Sequence, residues 1–201
     1  MKTAVVTGGT RGIGKGIVLS LAQAGYRVYA LYARNNQAAL ALDDLAKTNG
    51  YDIRCFRGDL TDPMKLQTIV DELKKSETTI DVIVHAAASG VHRDAFSLTQ
   101  KHMSWTFDIN VIAIHELLRN LIPLVPMGGR IIGVTSGGGD RVIPYYAAVG
   151  ASKGALNALF RHYAVELAPK GISVNLVCPG MVMTDAIDAF PEKENRVDIV
   201  L

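Results

Sequence analysis

The chain is poor in cysteine and in net charge, and it has no long apolar run. Its two cysteines, Cys55 and Cys178, stand in no metal or redox spacing. That removes a disulfide scaffold, a structural zinc site and a Cys-x-x-Cys centre from consideration. Both cysteines fall in strand-like runs and are expected as buried free thiols. The formal net charge of +2 is too small to drive binding to nucleic acid or to an anionic membrane, and no block of like charges forms a tail. No stretch is long enough to cross a bilayer, and the apolar residues after Met1 have neither the length nor the cleavage site of a signal peptide. The expectation is a cytoplasmic protein with no metal, nucleic-acid or membrane partner.

What is present is an alternation. Short Val/Ile-rich runs at 4–7, 27–32, 52–57, 82–86, 130–135 and 173–178 read as strands buried on both faces of a parallel sheet. Helical stretches lie between them at 12–24, 36–48, 63–76, 98–124 and 145–168. Strand–helix alternation over 201 residues, with 49% apolar residues to fill a core, implies an α/β fold. It is a single Rossmann-type domain with a doubly wound parallel sheet over 1–201.

The first strand runs into Thr7-Gly8-Gly9-Thr10-Arg11-Gly12-Ile13-Gly14. Glycines at that junction let the backbone turn tightly and approach a pyrophosphate, which a helix N-terminus then binds through free N–H groups and its dipole. A glycine pattern alone is weak, but this one follows a strand and opens a helix. An acidic residue about 20 positions on would take the ribose 2′-hydroxyl of NAD. Here the second strand ends Tyr32-Ala33-Arg34-Asn35, with no carboxylate before Asp43. Arg34, joined by Arg11, suits a 2′-phosphate, because a guanidinium donates two parallel hydrogen bonds. NADPH is therefore expected over NADH, the bland alternative being a solvated loop charge at Arg34.

These residues resemble the short-chain dehydrogenase/reductase family over nearly the whole chain. The resemblance rests on Gly8 to Gly14, Asp59-Leu60, Asn110, Ser136, Lys153, Pro179-Gly180 and Thr184. It implies that Asp59 and Leu60 flank adenine, and that Pro179, Gly180 and Thr184 line the nicotinamide. Two departures stand out. The segment after strand four reads His85-Ala86-Ala87-Ala88-Ser89-Gly90 instead of the usual Asn-Asn-Ala-Gly. Ala87 still allows close approach to a cofactor, and His85 is expected as a packed histidine rather than a base. The second departure is the tyrosine. The usual position, four before Lys153, holds Val149, and Tyr146 lies seven before it. This spacing resembles the enoyl-acyl-carrier-protein reductases. Ala87 to Val91, Trp105 to Asn110, Val149 to Lys153 and Thr184 to Ala186 are similar to the NADPH-dependent enoyl reductase III type.

On a helix, seven steps of about 100° return to within about 20° of the start, about 4.5 Å along the axis from position 149. Tyr146 is thus expected to face the same pocket as Lys153, with Pro144 at the helix start and Tyr145 pointing away. The shift suits a reaction in which hydride reaches the β-carbon of a 2-enoyl thioester while charge develops on the more distant thioester oxygen. In that mechanism Tyr146 hydrogen-bonds the enolate oxygen. Lys153 holds the ribose and lowers the tyrosine pKa. Water or a relay protonates the α-carbon. Ser136 either binds substrate or begins the loop Gly137–Asp140. Asn110 either braces the helix and holds a water near Lys153 or is a buried structural residue.

By the resemblance, a further helix and a seventh strand belong beyond Leu201, so the sheet is expected to end short, with Pro191–Arg196 as a loop. The leading function is enoyl thioester reduction in fatty acid synthesis. The alternatives are a 3-ketoacyl or other carbonyl reductase, against which Val149 argues, and a catalytically silent NADP-binding regulatory or structural protein. The acyl group rides on acyl carrier protein or on coenzyme A. The resemblance also implies a homodimer or homotetramer through helices 98–124 and 145–168.

Overall fold

A computed structural model describes residues 1–184. Expectations that fall on 185–201 lie outside the described residues. Six strands, β1 (Thr3–Thr7), β2 (Arg27–Tyr32), β3 (Ile53–Arg57), β4 (Val82–His85), β5 (Arg130–Val134) and β6 (Ser173–Val177), form one parallel sheet in the order β3-β2-β1-β4-β5-β6. The order reverses between β1 and β4, and the crevice at such a switch point is where open α/β sheets bind ligands.

The pleat sends alternate side chains to opposite faces. Val5, Tyr29, Leu31, Ile83 and Ile131 pack on α3 (Pro63–Ser76), α5 (Ala113–Leu121) and α6 (Ala147–Leu167) through Leu66, Leu73, Ile114, Leu117, Leu156 and Phe160. Ala4, Val6, Val28, Ala30, Val82 and Val84 face the other way, over α1 (Gly12–Gln23) and α2 (Asn36–Asn49), where Val18, Ala22, Leu42 and Ala46 meet them. On this second face Val82, Val84, Ile132, Val134 and Val177 line an apolar groove shared with Ile13 and Ile17 of α1. Local chemistry sets the helix starts. Asp62 accepts from the N–H groups of Met64 and Lys65 at 3.0 and 3.3 Å with Pro63 at the first helical position, and Asn35 accepts from Ala38 at 3.0 Å; such caps contribute about 1 kcal/mol each.

Three features differ from the periodicity reading. Strands β4, β5 and β6 each stop one residue early, and the residues that follow, Ala86, Thr135 and Cys178, turn to line the central cavity. The expected helix at 98–124 is interrupted. It runs as α4 (Gln100–Phe107), a π turn at Asp108–Ile112, α5 and a 3₁₀ turn. The last long helix begins at Ala147, so Tyr146 is its N-cap rather than a residue of its first turn. Cys55 is half-buried with its thiol pushed up to about 12 by burial, as expected of an inert thiol, whereas Cys178 is exposed. Cys178 follows the last residue of β6, so the strand pattern that implied burial no longer governs it.

Candidate active site

A cavity of about 1290 Å³ opens at the carboxyl ends of the strands. One end is built from the glycine loop. Gly8 has φ +67°, and a Cβ there would lie 2.8 Å from the Ala87 Cα. A Cβ on Gly14 would lie 2.1 Å from the Gly8 carbonyl oxygen. Only glycine lets this loop fold on itself and on the segment after β4. Helix α1 starts beside it with Arg11 as N-cap, no side-chain cap and no acidic residue in its first turn. Its first N–H groups are therefore left to an anion. Thr10, Arg11, Gly12, Ile13 and Arg34 line this end, and neither arginine makes an ion pair among the described residues. Asp59 and Leu60 form the neighbouring wall, with the Asp59 carboxylate accepting from the Thr61 N–H and hydroxyl at 3.1 and 2.7 Å. The cradle, the uncapped helix and the two free guanidiniums fit a dinucleotide with a 2′-phosphate.

The other end carries Ser136, Tyr146, Lys153, Pro179, Gly180 and Thr184. Tyr146 and Lys153 share this cavity, as the spacing predicts, but the route differs from a plain helical face. Tyr145 has φ +61°, the one non-glycine residue in the left-handed region among those described, and it does not line the cavity. The Tyr146 carbonyl accepts the first helical bond, from Gly150 at 2.6 Å. Its ring lies over Gly138, where a Cβ would come within 2.5 Å of two ring carbons. His92 packs at 5.6 Å between ring centroids. Val149 is 5% exposed and packs into Gly90, where a Cβ would meet it at 2.2 Å. It does not line the cavity, so the position four before Lys153 is filled by apolar packing.

Ser136 takes the loop-starting part of the two that its sequence position left open. It caps the 3₁₀ turn Gly137–Gly139, accepting from the Gly138 N–H at 3.2 Å, and it hydrogen-bonds Tyr146. The expected lowering of the Tyr146 pKa by Lys153 is not found. Burial raises the phenol pKa, and the Ser136 hydrogen bond opposes the rise. Lys153 instead donates to the Val134 carbonyl at 2.8 Å, and burial lowers its pKa to about 8.

Behind these groups lies a buried polar chain. Asn110 is fully buried in the π turn; its carboxamide accepts from Ser89 N–H at 2.9 Å and donates to Ser89 carbonyl and Ser152 hydroxyl at 2.9 and 2.8 Å. Its side chain is thus committed to bracing, adjacent in sequence to Lys153 through Ser152. His85 is fully buried, as its reading as a packed residue requires, and burial together with the Lys153 charge pushes its pKa down to about 3. Every buried side-chain polar atom among the described residues has a partner.

Sequence reasoning missed Arg141, Val142, Ile143, Met181 and Val182, which also line the cavity. They sit in irregular segments where no periodicity marks them. No group of three His, Cys, Asp or Glu suited to a metal occurs among the described residues, and no described helix is long and apolar enough to cross a membrane.

Comparison with known proteins gives this geometry a lineage. The family model described as Enoyl-(Acyl carrier protein) reductase matches residues 8–200. The chain belongs to the short-chain dehydrogenase/reductase family, a family of oxidoreductases. Among its relatives is a 3-oxoacyl-[acyl-carrier-protein] reductase FabG of Staphylococcus aureus, 32% identical over 196 residues, which span 96% of this chain and 79% of the relative. A 1-cyclohexenylcarbonyl-CoA reductase of Streptomyces collinus is 29% identical over 94% of this chain and 68% of that protein. A crystal structure of BdcA in complex with NADPH superposes with a TM-score of 0.80 at 34% identity, covering 92% of this chain and 72% of that one.

Proposed function

We propose that this protein reduces the 2,3 double bond of an enoyl thioester with NADPH. The observation that carries the reading is the pair of positions 146 and 149. Among the described residues, the tyrosine near the start of α6 that shares the cavity with Lys153 is Tyr146, while Val149 is packed out of reach. NADPH over NADH is supported by Arg11 and Arg34, unpaired among the described residues, and by the NADPH named with the BdcA structure.

Gly8, Gly12, Gly14 and the N-terminus of α1 would hold the pyrophosphate, with Thr10 and Ile13 beside it. Arg11 and Arg34 would hold the 2′-phosphate, and Asp59 and Leu60 the adenine. Ala87, Lys153, Pro179, Gly180 and Thr184 would hold the nicotinamide half. When bound, the nicotinamide supplies the hydride that the β-carbon accepts. Tyr146 donates its phenolic hydrogen bond to the thioester oxygen, where negative charge develops one conjugated unit away, and water or a relay then gives the α-carbon the proton that completes the reduction. Ser136 orients that phenol, and the raised phenol pKa keeps it a donor at neutral pH. Lys153 would hold the ribose and supply the positive charge, and Asn110 with Ser152 fixes the helix that carries it.

Reduction of a 3-ketoacyl thioester is the second reading, favoured by the FabG relatives. The two part in one experiment: NADPH oxidation with crotonyl and acetoacetyl thioesters side by side, and NADH as control. Turnover of crotonyl is expected, and turnover of acetoacetyl alone would replace the proposal with the second reading. The family model's description and the unsaturated thioester in the Streptomyces relative's name support the first. A carrier-protein partner, a cytoplasmic location and a homo-oligomer through α4, α5 and α6 belong to the same reading.

A further inference from the structure

The reading above gives no role to His85, the most deeply buried titratable group beside the cavity. Its two ring nitrogens meet two different walls of the site. Nδ1 lies 2.9 Å from the Thr7 hydroxyl at the end of β1, and Nε2 lies 3.2 Å from the Asn110 carbonyl in the π turn. A carbonyl only accepts, so Nε2 carries the proton and donates it there. The Thr7 oxygen already accepts from the Ala87 N–H at 3.1 Å. In a neutral imidazole with its proton on Nε2 the Nδ1 atom can only accept, so the Thr7 hydroxyl donates its own hydrogen there. With a neutral imidazole the four groups allow one arrangement: Ala87 N–H to Thr7, Thr7 O–H to His85, His85 Nε2–H to Asn110 carbonyl.

Each end of this chain finishes on a cavity wall. At one end Ala87 faces Gly8 across a gap that leaves no room for a Cβ. That contact shapes the place where the cofactor must approach the backbone. At the other end Asn110 holds Ser89 through two backbone bonds and Ser152 through a third, immediately before Lys153. The π turn, in which Ala113 N–H bonds back to the Asp108 carbonyl, shifts the helical ladder at this level.

We infer that His85 is a positioning residue. As a neutral Nε2–H tautomer it ties the Thr7–Ala87 cofactor wall to the Asn110–Ser152–Lys153 brace and sets their separation. The inference rests on the cofactor reading proposed above, but its two arms can be cut separately. An asparagine amide falls near the place of Nδ1, and a glutamine amide near that of Nε2. His85→Asn keeps an acceptor for Thr7 and loses the donor to Asn110; His85→Gln does the reverse.

The test measures NADPH affinity by fluorescence, and kcat at saturating NADPH, for both variants. His85→Gln is expected to weaken NADPH binding several-fold with kcat nearly kept. His85→Asn is expected to keep NADPH affinity and lower kcat about tenfold. Equal effects of both variants on both quantities, or none on either, overturn the inference. Imidazole ¹⁵N NMR of the wild-type protein keeps it testable if a variant fails to fold: the Nε2–H tautomer is expected throughout pH 5–8, and an Nδ1–H tautomer overturns it. A wild-type protein that binds no NADPH sinks the cofactor reading itself, and the inference with it, a pattern distinct from wild-type binding with no split between variants.

Discussion

Lys153 should cost stability in the free protein, and replacing it should make the fold stronger while it ends turnover. The residue is 4% exposed, and among the described residues its ammonium donates one hydrogen bond, to the Val134 carbonyl at 2.8 Å. Burial lowers its pKa from 10.5 to about 8. At 1.36 kcal/mol per pH unit, the charged form is disfavoured by about 3 kcal/mol in the native state at neutral pH. The sign follows from proton counting. Between pH 8 and 10.5 the unfolded chain binds the lysine proton and the native one has released it, so this group's destabilisation is full below pH 8 and fades as pH rises to 10.5. Methionine has nearly the same shape and no charge, and it forfeits only the bond to Val134. Lys153→Met should therefore be about 1–3 kcal/mol more stable than wild type at pH 7, by urea denaturation without cofactor, and Tm should rise by about 2–4 °C per kcal/mol. The advantage should shrink towards pH 10.5. Turnover should fall to background. A variant less stable at pH 7, with the same pH slope as wild type, would refute the idea that a strained cation is held here for function.

Tyr146→Phe should remove most enoyl turnover yet leave NADPH affinity within about twofold, since only the charge-stabilising hydroxyl is lost; unchanged turnover would displace Tyr146 from the proposed role. Arg34→Ala should raise the NADPH Kd about tenfold, the worth of one charge-assisted bond, and leave NADH affinity alone in fluorescence titrations. Tyr145 sits at φ +61°, so Tyr145→Gly should stabilise the fold by about 1 kcal/mol in thermal melts, with turnover kept. His85 is held neutral with its pKa near 3, below its unfolded value of 6.5. Unfolded protein alone takes up that proton as pH falls, and wild type should lose about 2 kcal/mol between pH 7 and 5 that a folded His85→Asn variant keeps.

How far the sequence carried the reading depends on where each feature's information lies. The six strands and their parallel sense follow from short Val/Ile runs separated by helical periods, because burial on both faces leaves a local signature. The glycine loop was legible for a similar reason: Gly14 is fixed by the Gly8 carbonyl six residues away at the same β1–α1 junction, whereas the contact of Gly8 with Ala87, beyond β4, left no local mark. Pro179, Gly180 and Thr184 could be placed by resemblance alone. The π turn at Asp108–Ile112 was not legible, since shifting the ladder by one residue leaves the hydrophobic pattern of a continuous helix almost intact. Nor was the exposure of Cys178, which depends on a strand ending one residue early.

The Tyr146 case shows why a correct outcome can rest on an incomplete argument. A helical wheel puts residues 146 and 153 on one face, and both do line the cavity. Yet Tyr146 precedes the helix, and what aims its ring is the left-handed Tyr145 before it, the Gly138 surface beneath it and the Ser136 hydrogen bond beside it. Two of these depend on the loop Ser136–Asp140, six to ten residues before Tyr146 and outside the helix that the wheel describes, and the third on a backbone conformation that the residue type disfavours. Packing on the segment after β4 and on α4 explains why the hydroxyl cannot simply move to position 149. A tyrosine there would enter the space beside Gly90 that the Val149 and Thr106 side chains already fill, behind the wall of the cavity. A Tyr146→Phe, Val149→Tyr double variant should therefore regain neither enoyl nor ketoacyl turnover, and should be less stable by about 1–3 kcal/mol from overpacking in urea denaturation. Recovery of ketoacyl reduction by that variant would mean that the wall yields, and that position, rather than packing, is what separates the two reactions.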